Sequence, residues 1–243
     1  MKTDDSMATE AHMDPVTTQR KIRNNLEDSL SKPSRALVAA DTDHPTGTVG
    51  SKNHGKSVLQ QHVSYFDKNN DGIVYPWETY AGFRAFGLNV IVSAILAFAF
   101  NLANSYPTLP GWIPSLLLPV HIDNIHKAKH GSDTGVFDTE GRFMPVNLEN
   151  MFNKYAKTDP EKMTYGELWN MTEGNRVAYD FVGWIESKGS WTIFYIIAKD
   201  KDGFVSKDNV RSLFDGSLFE KLAKNYQTGV VKKVDDRQQM LAK

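Results

Sequence analysis

From Ala85 to Val120 the chain carries no Asp, Glu, Lys or Arg. Such a stretch must be packed inside protein or set against an apolar phase. Its first part, Leu88 to Phe100, is almost wholly apolar, and a proline cluster follows: Pro107, Pro110, Pro114 and Pro119, with Gly111 and Trp112 among them. As a helix, Leu88–Phe100 would be roughly 20 Å long, short of the about 30 Å needed to cross a bilayer core. The prolines then lack the N–H that a continuing helix requires. The expectation is a hairpin that enters an apolar phase, turns at Pro107–Pro119 and leaves on the side it entered, as a monolayer over oil would allow. Unpaired backbone groups are costly in hydrocarbon, and Asn101, Asn104, Ser105 and Tyr106 are placed to pair with some of them. A buried core helix with a proline-rich loop, or a shallow interfacial helix, satisfies the same composition.

Just before this stretch, residues 67–78 read Asp-Lys-Asn-Asn-Asp-Gly-Ile-Val-Tyr-Pro-Trp-Glu. Calcium is a hard cation that takes about six to eight oxygens, and the EF-hand loop supplies them at fixed steps. Asp67, Asn69 and Asp71 fall at positions 1, 3 and 5, Gly72 at the sharp turn of position 6, and Ile73 offers its carbonyl at position 7. Glu78 closes the loop at position 12 as the bidentate ligand. An apolar helix is expected on each side, the first through Val58, Leu59, Val63 and Phe66, the second through Trp77, Tyr80, Phe83 and Phe86. Residues 198–209 echo the loop, but Ala198 and Asn209 replace the first carboxylate and the closing glutamate. That loop is expected to fold without tightly held metal, either paired with the first loop or as a plain helix connection.

The rest reads as helical, with little strand signal. Residues 1–56 are polar and expected to be disordered, apart from a short surface helix near 21–31, because they bury too little apolar area to offset ordering entropy. Helices are expected around Leu148–Tyr155 and after Thr164, where Thr164 and Glu167 form a capping box. Val177–Ala198 is expected to be one core helix or two. The fold class is therefore mainly α: one EF-hand-containing domain with a central apolar segment. Its parts are the N-terminal region 1–56, a helix–loop–helix at 57–87, the apolar segment and proline turn at 88–120, a C-terminal helical part at 121–223 and a polar tail at 224–243. With 28 basic and 29 acidic residues, the balance of charge gives no nucleic-acid surface. The absence of cysteine excludes disulfides, thiolate-ligated haem and Cys-type zinc or iron–sulfur sites.

The chain has seven histidines. His12, His44 and His54 lie in the polar N-terminal region. His62 precedes the acidic loop. His126 and His130, four apart, would share a face of a helix and could chelate a metal. Any b-type haem would have to use His, Tyr or Met as ligand.

Several strings resemble the caleosins, or plant peroxygenases: His62-Val-Ser-Tyr-Phe-Asp67, Ile73-Val-Tyr-Pro-Trp-Glu-Thr79, Leu109-Pro-Gly-Trp-Ile-Pro114, Asn124-Ile-His-Lys-Ala-Lys-His-Gly-Ser-Asp133, Gly141-Arg-Phe-Met-Pro-Val-Asn147 and Phe214-Asp-Gly-Ser-Leu-Phe219. The resemblance covers about residues 55–220. It implies a Ca2+-binding, haem b enzyme on the lipid-droplet monolayer and endoplasmic reticulum membrane, held there by a proline knot. It further implies the use of fatty-acid hydroperoxides to epoxidise unsaturated fatty acids and to oxidise other acceptors, and it is compatible with a homo-oligomer. The family's two haem-linked histidines land on His62 and His130, as cofactor-binding and catalytic residues. The resemblance thus picks His130 over His126; which of the pair is axial and which distal stays open. Two departures stand out: Leu116 where the knot often has proline, and Leu213 where some members carry cysteine. A non-enzymatic droplet coat protein and a soluble calcium sensor are the rival classes.

Overall fold

The computed structural model describes residues 37–41, 43–50 and 55–241, with side chains as far as residue 229. The surface helix expected near 21–31 lies outside the described residues. Helix α1 (Val58–Ser64) begins where Ser57 and Gln60 exchange bonds as a capping box. The acidic loop follows and holds a two-residue strand, β1 (Ile73–Val74), before α2 (Pro76–Ala85). Next come α3 (Val90–Thr108), β2 (Val120–His121) and a 3-10 helix (Ile122–Ala128). The C-terminal part runs α4 (Pro145–Tyr155), β3 (Lys162–Thr164), α5 (Tyr165–Gly174), α6 (Phe181–Ala198), β4 (Phe204–Ser206), α7 (Lys207–Phe214) and α8 (Ser217–Leu241).

Three helix–loop–helix units share one local design. In 67–78, 156–167 and 198–209 the strand occupies the same place in the loop, and the next helix is capped by Tyr75, Thr164 or Ser206. Gly72 and Gly203, at equivalent turns, both sit at φ +83°, a left-handed backbone that glycine adopts without steric cost. The pairing differs from the expectation. β4 runs antiparallel to β3, with Met163 opposite Val205, so the 198–209 loop partners 156–167. β1 pairs instead with β2, Val74 opposite Val120, immediately after the proline turn. The 156–167 loop escaped the sequence reading because it has no acidic start. It is closed by Glu167, whose carboxylate accepts the N–H groups of Lys157, Thr158 and Thr164 at 2.7 Å each.

Helix α3 departs from the hairpin expectation in two respects. It runs on to Thr108, with Pro107 tolerated in its last turn. Its small and polar side chains also face inward. Asn101 is fully buried and donates to the carbonyls of Val74 and Leu118, while its Oδ1 accepts from Thr79. Thr108 accepts from His121 N–H. The large apolar side chains Ile91, Ile95, Phe98, Leu102 and Tyr106 point outward, and Trp112 and Leu116 of the proline turn are 80% and 100% exposed. α3 is the one described helix long and apolar enough to cross a membrane. Yet it lies along the domain, tied at its middle and its end, so the segment does not depart from and return to the body as a hairpin.

Two apolar clusters form the interior. One gathers α4 to α7 with Val58 and Phe143; the other joins Leu59, Val63, Phe66, Val74, Val120 and Phe219. Residues 37–50, placed by composition in the disordered region, contribute Ala39 and Ala40 to the buried set. The buried Arg211 holds them: its guanidinium donates to Ala39 O and Thr48 Oγ1 and pairs with Asp41. Hydrophobic periodicity does not register a segment held by a buried cation. α6 is one helix, within the expectation of one or two, but it begins at Phe181 rather than Val177, with Phe181, Val182 and Ile185 exposed along its first turns.

Burial alone would raise the Glu167 pKa, but the N–H groups of Thr164, Thr158 and Lys157 outweigh it and leave it below the ordinary glutamate value of 4.5. The ionised form is the one the fold prefers, so its contribution is complete above pH 4.5 and is lost as pH falls through the lower folded value. Glu167→Ala is expected to cost roughly 1–3 kcal/mol at neutral pH. In urea unfolding, the gap from the parent protein should close on acidification below about pH 4.5.

Candidate functional site

A cavity of about 300 Å³ lies at the seam of the two clusters. Leu59, Phe66 and Phe219 line it from one cluster, Trp191 and Phe194 from the other. Its walls are mostly apolar. The few polar groups include His62, His130, Glu186 and Asn104. Both histidines singled out in the sequence therefore open onto one space. His126 is not among the lining residues. The helix that would have set His126 and His130 on one face is a 3-10 helix ending at Ala128, with His130 beyond it.

His62 projects from α1 onto the turn between α7 and α8. Its Nδ1 lies 2.7 Å from the carbonyl of Leu213. A carbonyl can only accept, so Nδ1 carries the proton and Nε2 is the lone-pair nitrogen. The ring meets Phe219 edge-on at 5.1 Å. Burial pushes the imidazole pKa down, against the smaller opposing effects of the Leu213 carbonyl and Asp215. The turn that supplies the carbonyl is itself tightly fitted. Gly216 has φ +79°, and a Cβ there would lie 3.0 Å from Gln61 O and 3.2 Å from His62 Cα.

His130 sits at the far end of the 3-10 helix, against the start of α6. Its Nδ1 is buried without a hydrogen-bond partner, 3.6 Å from Asp180 Oδ2. Asp180 caps α6 by accepting from Gly183 N–H, and it accepts from Ser132 N–H at 2.7 Å. Ser132 in turn accepts from Val177 N–H. The hydrogen bonds from Ser132, side chain first, keep the Asp180 carboxyl below its usual value. Neither Asp180 nor Glu186 was singled out in the sequence. Asp180 could have been found as an N-cap before the apolar run; the cavity-facing placement of Glu186, within a helix pattern, has no sequence signal.

In the acidic loop, Asp67 and Glu78 are buried, 4% and 7% exposed. Among the described residues neither forms an ion pair, and no group of three or more His, Asp or Glu side chains is gathered for a metal. Their oxygens accept loop N–H groups: Asp67 from Asp71 and Gly72, Glu78 from Lys68 and Tyr75. Asp71 accepts from Ile73 N–H and from the Asn69 amide. The loop is joined to the cavity through Phe66, whose ring meets Phe83, Phe100 and Phe219 at 5.4, 6.1 and 5.4 Å.

Residues 54–223 match the family model described as caleosin related protein. The chain is 50% identical over 222 residues to a peroxygenase of Lilium longiflorum, covering 90% of this chain and 93% of the relative. It is 43% identical over 175 residues to probable peroxygenase 4 of Arabidopsis thaliana, covering 72% and 90%. A probable inactive peroxygenase-like protein of Arabidopsis thaliana is 36% identical over 59% of this chain. No solved structure matches. The chain belongs to the caleosin family, and its relatives place it among the plant peroxygenases.

Gly216→Ala would force a left-handed backbone on alanine and press its Cβ onto α1. A loss of roughly 1–3 kcal/mol is expected, read as a lowered midpoint in thermal or urea unfolding.

Proposed function

We propose that this chain is a calcium-dependent haem peroxygenase acting at a lipid-droplet or endoplasmic reticulum surface, with fatty-acid hydroperoxides as oxidant and unsaturated fatty acids among its acceptors. The observation that carries the reading is the pair His62 and His130 on one apolar cavity, in a chain without cysteine. The residues suit a b-type haem. The walls are apolar, Nε2 of His62 keeps its lone pair, and Nδ1 of His130 faces a carboxylate. Bound there, haem would supply the cleavage of the hydroperoxide O–O bond and the delivery of oxygen to the acceptor. The chain's own residues would bind the cofactor through imidazole, exclude bulk water with a phenylalanine wall and hold an acyl chain. The neutral, half-buried His62 is suited to take up and return a proton at Nε2 if His130 is the iron ligand. With roles exchanged, His130 takes that part, and Glu186 and Asp133 are the carboxylates that also line the cavity.

Calcium fits the 67–78 loop because two carboxylates are buried there, neither in an ion pair among the described residues, and the donor set is all oxygen: Asp67, Asn69, Asp71, the Ile73 carbonyl and Glu78. The ion would steady α1 and hence His62. The outward apolar face of α3, with Trp112 and Leu116, suits a shallow seat in a monolayer better than a deep hairpin.

The purified chain reconstituted with haem should show a Soret band that His130→Ala removes and His62→Ala shifts or weakens. No Soret band in the parent protein would leave the coat-protein reading. Glu78→Gln should weaken calcium binding by at least about tenfold, since it removes half of the bidentate closing ligand, and should lower hydroperoxide-dependent epoxidation. Calorimetry checks the first effect and product analysis the second; full activity in calcium-free protein would break the coupling.

A further inference from the structure

The turn before α6 is built around His130. Segment 130–133 is docked there by Ser132, which gives its N–H to Asp180 and accepts the N–H of Val177. Ser132 is fully buried. The helix backbone approaches the imidazole so closely that a Cβ on Gly183 would lie 2.5 Å from both Cγ and Nδ1 of His130, and 2.5 Å from Asp180 Oδ2. Only glycine lets ring, carboxylate and helix meet in this way. Among the described residues, the acid group that comes within 4 Å of the ring's buried Nδ1 is Asp180, at 3.6 Å, beyond hydrogen-bond length, and Nδ1 has no hydrogen-bond partner.

We propose that Asp180 is the positioning residue of His130: its carboxylate, 3.6 Å from Nδ1, closes on the Nδ1 proton when Nε2 binds iron and makes that nitrogen a stronger electron-pair donor. This deepens the reading of His130 as a haem ligand and rests on it. The physical basis is general. A metal-bound imidazole whose far nitrogen donates to a carboxylate is fixed in tautomer and orientation and gains basicity. A more basic ligand favours the ferric state. Asp180 thereby serves both ends of one joint. Its Oδ1 caps α6, and Oδ2 accepts the Ser132 N–H and faces the imidazole. The two duties separate chemically, because asparagine caps a helix about as well as aspartate but carries no charge.

The test uses the full-length chain reconstituted with haem, comparing the parent protein, Asp180→Asn and His130→Ala. Asp180→Asn should keep the parent circular dichroism, with an unfolding midpoint somewhat lowered because the amide nitrogen cannot accept the Ser132 N–H that Oδ2 accepts. It should bind haem roughly tenfold more weakly, and its ferric/ferrous midpoint potential should move to a more positive value. An Asp180→Asn protein with parent haem affinity and potential, alongside a His130→Ala protein that has lost the Soret band, would overturn the role of Asp180 and leave the ligand assignment standing. A His130→Ala protein that binds haem like the parent would overturn the ligand assignment and Asp180 with it. If Asp180→Asn does not fold, Asp180→Ser, a second neutral cap, gives the same comparison.

Discussion

Helix α1 has to satisfy three neighbours at once. Val58 belongs to the C-terminal cluster, Leu59 and Val63 belong to the other, and the chain then runs directly into the acidic loop. His62 lies between these duties, on the seam, held by the Leu213 carbonyl. Because α1 is only seven residues long, it has little helical stability of its own. Its position is borrowed from the clusters, from the capping box at Ser57 and from the close fit of Gly216. The cavity, the ring of His62 and the start of the loop are therefore set by one short element that both clusters clamp.

The arrangement of α3 follows from the same economy of contacts. An ordinary surface helix buries its apolar stripe and shows its polar one. Here the buried stripe is Ser93, Ala97, Asn101, Asn104, Ser105 and Thr108. Small residues let the helix approach α2 and the 3-10 helix closely, and the amides satisfy the backbone carbonyls that a two-residue ladder leaves unpaired. Asn101 bridges Val74 and Leu118, the flanks of the β1–β2 pair. The oily residues are left for the outside, where an exposed apolar face of this kind marks a contact surface for a membrane or another protein.

Much of this was legible in residue order because it depends on local rules. The capping box at Thr164, the helices through Leu148 and Leu168, the turn glycine of the first loop and the apolar character of 88–100 are set within a few residues. What was not legible depends on partners distant in the chain. Arg211 reaches back to Ala39 and Thr48, giving order to a polar stretch that composition marks as loose. The 156–167 loop reads as an irregular connection until Met163 is seen opposite Val205. The choice between hairpin and packed helix turned on Asn101, whose partners lie on either side of α3 in sequence. For the cavity, both histidines came from family strings, whereas Asp180 and Glu186 needed three-dimensional proximity.

Glu167 closes the 156–167 loop with its own carboxylate, doing from within the chain what a cation does from outside. That loop is thus a fixed jaw, closed without a metal ion as long as Glu167 is ionised. On the proposed calcium reading, the 67–78 loop, with its buried Asp67 and Glu78, would be a conditional jaw. A chamber mounted between a permanent and such a conditional jaw would change its bite on one side only, the side that carries His62.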